Sequence, residues 1–194
     1  MGRRNLSQER TEQLLDAFEI CISEYGLGGA TLQRTAEKAE LNIGMIYHYI
    51  GNRDDLLRLS VERLAEQAKQ DMAAFVAAVP TEKRLPLLLQ DFFKDAAESS
   101  DRILSELLVA SSHNPLAKQL CQDINRVYAS LLAEELARSH PQLPAKTCQQ
   151  LAFNVLSLAY GCGLLIDLGF DKQQREVALQ AAEALIQVAS EQDS

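Results

Sequence analysis

Between Thr31 and Asn52 the chain has room for two short helices and little else. Thr31 is a good N-cap for a helix over 32–39, with Leu32, Ala36 and Ala39 on one side. Glu40-Leu41-Asn42 then makes a three-residue turn, and Asn42 can cap a second short helix over 43–49. Asn52 caps the next helix, with Asp54 and Asp55 in its first turn, where negative charge suits the helix dipole. Upstream, Leu14, Phe18, Cys21, Ile22 and Tyr25 recur at helical spacing. That first helix should start at Ser7 and stop at Gly26, a left-handed cap. A long helix followed by two short ones around a three-residue turn is a helix-turn-helix.

The second short helix, LNIGMIYHYI over 41–50, has two unlike sides. Leu41, Ile46 and Ile50 can face the other helices. Gly44 costs roughly 1 kcal/mol against Ala inside a helix, so it needs a use beyond packing. In a helix-turn-helix this helix lies in the DNA major groove. Gly44 would let the backbone approach the duplex, and Tyr47, His48 and Tyr49 would supply polar groups for phosphate and base edges. Ile43 and Met45 can touch thymine methyls. Thr31 and Asn52-Arg53 bring helix N-termini to phosphate. The candidate DNA-binding residues are Thr31, Gln33, Arg34, Asn42, Ile43, Gly44, Met45, Tyr47, His48, Tyr49 and Arg53. Arg3, Arg4 and Arg10 make a basic tip, either a solvated tail or an arm that reaches DNA.

At these residues the chain resembles the TetR (tetracycline-repressor) family of transcriptional regulators. The resemblance runs from the apolar first helix ending at Gly26, through Ala30-Thr31, Ala36 and Ala39, to Leu41–Ile50 and Asn52–Leu57. It implies nine or ten helices, a homodimer built by the last two long helices, a small-molecule cavity in the body, and binding to a double-stranded operator. Members of that family usually carry Gly where this chain has Glu40, Lys where it has Arg53, Phe where it has Ile50, and Ile or Val where it has Thr35.

The rest of the chain predicts an all-α protein. Of its 194 residues 47% are apolar, with 9 Gly, 5 Pro and no Trp, and Leu, Ala, Glu and Gln are abundant. No alternating β-branched run marks a strand. Helices are expected over about 53–79, 84–98, 101–111, 115–139, 145–169 and 171–191, giving nine in all. The division expected is a DNA-binding head over 1–52 and a ligand-binding and dimerisation body over 53–194. The net charge of −8 argues against a general nucleic-acid coat. Residues 54–194 hold most of that charge, leaving the head near neutral.

Residues 151–170 are apolar enough for a membrane span, but Asn154, Ser157 and Asp167 interrupt them, so a helix buried on several sides is expected. With no signal peptide and no myristoylation pattern, the expectation is a cytoplasmic protein without membrane attachment. Cys21, Cys121, Cys148 and Cys162 show no CxxC spacing and read as buried thiols. Candidate ligand-binding residues in the body are Met72, Phe75, Phe92, Phe93, Leu107, His113, Tyr128, Phe153 and Tyr160, which would suit an apolar effector. Leu151, Val155, Leu158, Cys162 and Leu165 form one stripe for a dimer, and Val177, Ala181, Leu185 and Val188 another. No catalytic cluster, metal spacing or phosphate loop is present, so neither an enzyme nor a cofactor is expected. The alternative to a repressor is a helical ligand-binding or scaffold protein without operator binding.

Overall fold

The computed structural model describes residues 2–94 and 99–192. Among these the chain is all α-helical, with nine helices: α1 (Gly2–Gly29), α2 (Leu32–Lys38), α3 (Ile43–Tyr49), α4 (Arg53–Ala78), α5 (Thr81–Phe92), α6 (Ser99–Ala110), α7 (Pro115–Ser139), α8 (Ala145–Asp167) and α9 (Gln174–Gln192). The short helices and α7 fall where their caps and first-turn proline put them. The Asn114 side chain accepts from the Ala117 N–H at 3.1 Å, capping α7.

Several boundaries differ from expectation. Helix α1 begins at Gly2 rather than Ser7, so Ser7 is a helix residue and not its cap. It also continues past Gly26, which is a kink with φ 72° and ψ 169° rather than an end. Helix α5 starts at Thr81 because Pro80, extended at ψ 143°, separates it from α4. The expected end of that helix at 98 lies outside the described residues, as do the side chains of Arg3 and Arg4.

The chain divides into two compact units, Met1–Glu66 with Ala97–Ile124, and Gln67–Ala96 with Asn125–Ser194. In the first, α1 packs against α2, α3 and α6. Leu14, Phe18, Cys21 and Ile22 of α1 are fully buried, as are Ile46, Leu56, Leu57 and Leu107. Tyr25, expected on the same α1 stripe, is instead 50% exposed, because it stands at the kink.

In the second unit α9 packs on α8 and α5. One apolar cluster there joins Leu85, Leu89, Leu132, Leu136, Val155 and Ile186. Leu151 and Val155, expected on a dimer face, belong to this core. The large apolar residues that α8 leaves exposed are Phe153, Leu164 and Leu165. So α8, among the described residues the helix long and apolar enough to cross a membrane, is buried on one side of this chain rather than on several. Cys21, Cys121 and Cys148 are buried and Cys162 is half-buried.

Candidate nucleic-acid interface

The interface begins at the α1 kink. Immediately after Gly26, the Leu27 N–H donates to Glu106 Oε2 of α6 at 2.7 Å. The Leu27 carbonyl accepts from Arg53 Nη2, and the Ala30 carbonyl accepts from Arg53 Nε at 2.9 Å. The first residue of α4 and a carboxylate of α6 thus hold the segment that leads into α2. Arg53 is expected to reach phosphate, and two of its donors, Nε and Nη2, are taken up at this junction. Glu106 lies 79 residues from Leu27, and no local pattern marks it.

Helix α2 is capped as expected, with Thr31 Oγ1 accepting from the Arg34 N–H at 3.3 Å. Thr35 is fully buried, and its hydroxyl donates to the Thr31 carbonyl at 2.9 Å. The hydroxyl that replaces a branched aliphatic residue is therefore satisfied locally. Gln33 donates to Glu37 at 2.7 Å, and Lys38 pairs with Glu24 at 2.7 Å. That pairing raises the Lys38 pKa and lowers that of Glu24. Arg34 donates from Nη1 to the Gly29 carbonyl at 2.8 Å and lies over the Tyr25 ring.

The turn between α2 and α3 is a left-handed cap. The Leu41 N–H returns to the Ala36 carbonyl at 2.9 Å, and Glu40 adopts φ 54° between them. This is the Schellman arrangement, which favours glycine at the left-handed position. At the end of α3 the Gly51 N–H bonds the Ile46 carbonyl at 2.9 Å, but Ile50 between them keeps φ −123° and Gly51 itself takes φ 126°. Asn52 then caps α4, its Oδ1 accepting from the N–H groups of Asp54 and Asp55 at 2.8 and 3.2 Å.

On α3, Ile46 is fully buried, with Leu41 and Ile50 half-buried beside it. Ile43, Gly44, Tyr47 and His48 are exposed, Tyr47 by 60%. Met45 and Tyr49 are half-buried, and Tyr49 sits edge-on to His48 with 4.7 Å between ring centres. Asn42 stands at the N-cap position, but its side chain makes no capping hydrogen bond. A Cβ on residue 44 would lie 3.0 Å from Asn42 Oδ1, so Gly44 also makes room for that side chain.

The candidate ligand residues of the body divide between the two units. Leu107 is fully buried in α6 and His113 exposed in the turn after it, both in the first unit. In the second unit Phe92 and Tyr128 meet edge-on at 6.4 Å, and Phe93 is buried. Met72, Phe75 and Tyr160 are half-buried, whereas Phe153 is 69% exposed on α8. An open groove of about 830 Å³ lies among α5, α9 and the turn after α7, lined by Leu85, Leu89, Arg138, His140 and Ile186 among others. None of the nine candidates borders it. It is assembled from elements about 100 residues apart, which leaves no local pattern to read.

No family model matches the chain. It is 27% identical over 190 residues to the HTH-type transcriptional regulator BetI of Paraburkholderia xenovorans, covering 94% of each chain. A TetR-family transcriptional regulator of known structure from Cytophaga hutchinsonii superposes with a TM-score of 0.76 at 17% identity, covering 94% of this chain and 96% of that one. A transcriptional regulator from Saccharomonospora viridis, solved in complex with choline, gives a TM-score of 0.76 at 16% identity, covering 93% and 96%.

Proposed function

We propose that the chain is a DNA-binding transcriptional regulator of the TetR family, a homodimeric repressor released from a palindromic operator by a small, largely apolar effector. It is a regulator and not an enzyme. The observation that carries the DNA-binding part is α3 itself. Its buried Ile46 fixes the helix from behind, and Ile43, Gly44, Tyr47 and His48 are left facing outward. Tyr47 and the first turn of α2 are suited to phosphate, and Ile43 and His48 to base edges. On this reading the functional boundary lies near residue 52, the head carrying operator contact and the body effector binding and dimerisation. A protein with this task works in the cytoplasm.

The dimer rests on an apolar surface without a partner in the single chain. Phe153, Leu164, Leu165, Leu168, Val177, Leu185 and Val188 are exposed by 42–70%. Gly161 and Gly163 of α8 have open space where a Cβ would stand, so nothing in this chain explains them. Close approach of a second copy's helix does. The effector is proposed to act through α4, which starts at Arg53 on the α2 junction and carries Met72 and Phe75 further along. Choline, held by the Saccharomonospora viridis protein, is the polar compound to test beside apolar ones. A gel shift on the duplex upstream of its own gene, with and without effector, tests the proposal. A retarded band that effector abolishes is expected. No binding to that duplex or to any from a random pool would leave the scaffold reading.

A further inference from the structure

Tyr25 is an aromatic residue on an apolar stripe, yet half of it is exposed. Its ring lies under the guanidinium of Arg34, with Arg34 Cζ 4.6 Å from the ring centre. The same guanidinium donates from Nη1 to the Gly29 carbonyl at 2.8 Å, and the Arg34 N–H is held by Thr31 Oγ1. Gly29 completes the arrangement. It has no positive φ to demand glycine, but a Cβ there would lie 2.7 Å from Tyr25 Cβ and 3.3 Å from Arg34 Nη1. Space for the stack is what requires glycine at this position.

The charge so held is not neutralised. Among the described residues Arg34 forms no ion pair, while Glu24 is taken by Lys38 and Glu37 accepts from Gln33. Arg34 also stands in the first turn of α2, the helix that crosses the phosphate backbone in a helix-turn-helix. An arginine carries five donors in a planar fork that matches a phosphate. One donor goes to Gly29 here.

We propose that Tyr25 and Gly29 are positioning residues that hold the Arg34 guanidinium in place for a phosphate of the operator. The proposal rests on the DNA-binding reading above. Stacking on Tyr25 limits the rotamers of Arg34 before DNA arrives, so less side-chain freedom is lost on binding. Neither residue needs to touch DNA.

The test uses the full chain and a duplex selected from a random-sequence pool on the wild type, with binding followed by fluorescence anisotropy across a salt series. R34A is expected to lower the slope of log Kobs against log salt by about 0.9, the value for one lost phosphate contact. Y25L should weaken binding about two- to fivefold, the scale of an exposed cation–π contact, and move the slope toward that of R34A. Y25F, which keeps the ring, should match wild type. G29A should behave like Y25L although it removes no charge, and it guards against misfolding of any one variant. In the R34A background both changes should have no further effect. Equal losses with and without Arg34, or a Y25L variant with wild-type affinity and slope, would overturn the positioning role while leaving operator binding intact. If selection recovers no duplex at all, the DNA-binding premise itself falls.

Discussion

Glu40 sits where the backbone asks for glycine. Its φ of 54° is left-handed, which costs an L-residue about 1–2 kcal/mol. Its carboxylate is also exposed at the turn that leads into α3. E40G should therefore raise stability by about 1 kcal/mol, a Tm gain of about 2–4 °C for a chain of this size. It should also tighten operator binding by removing a negative charge near the proposed groove helix. Calorimetry and anisotropy read the two effects separately, and an unchanged Tm would mean the turn carries no strain. Ser60 presents a second local cost. It is fully buried in α4, and its hydroxyl finds no partner among the described residues. A buried unsatisfied group costs about 1–3 kcal/mol, so S60A should be neutral or stabilising in urea melts. A loss above about 1 kcal/mol would show that the hydroxyl has a partner in solution.

Between elements, one arginine ties α4 to α1. Arg63 reaches Glu12 at 2.8 Å, Asp16 at 2.7 Å and Glu19 at 2.7 Å, three carboxylates on one α1 face. Burial pushes the Glu19 pKa up despite the pull of Arg63. A carboxylate raised in the folded state favours folding below its ordinary pKa and loses that contribution as pH rises through the raised value. Wild type should therefore gain stability relative to E19Q as pH falls from about 7 to about 4. Parallel pH profiles would show that Glu19 titrates alike in both states. Cross-element contacts of this kind were what sequence reading missed. The caps at Thr31 and Asn52 and the prolines at 80, 115 and 144 act within a few residues, so the helix order was legible from them. The outward face of α3 was legible because one period of LNIGMIYHYI sorts Ile46 from Tyr47 and His48. Arg63 is 44–51 residues from its partners and Glu106 is 79 from Leu27. The place of Arg53 at the start of α4 is legible in the sequence, but only the fold brings the Leu27 and Ala30 carbonyls to it.

At the scale of the molecule, the proposed function needs two copies. A short α3 offers few side chains to base edges, and a single head can fill only one half-site. Joining two heads makes the second contact intramolecular, which raises overall affinity by about 10²–10⁴ without any new contact. That gain depends on the α8–α9 surface alone if dimerisation is where the apolar residues put it. Leu168 is 70% exposed and Val188 51%, and neither lies in the core cluster of the second unit. Leu168→Glu with Val188→Glu should therefore leave the fold intact by circular dichroism while placing two like charges in the interface of each chain. Light scattering at micromolar concentration should give a dimer mass for wild type and a monomer mass for the double variant. Operator affinity should fall by about 100-fold or more, and the remaining binding should respond to a single half-site as well as to a palindrome. The two measurements have to move together, because the affinity gain comes only from the second head. A variant that stays dimeric would place the interface elsewhere. A monomeric variant that still preferred the palindrome with wild-type affinity would remove the two-headed mechanism.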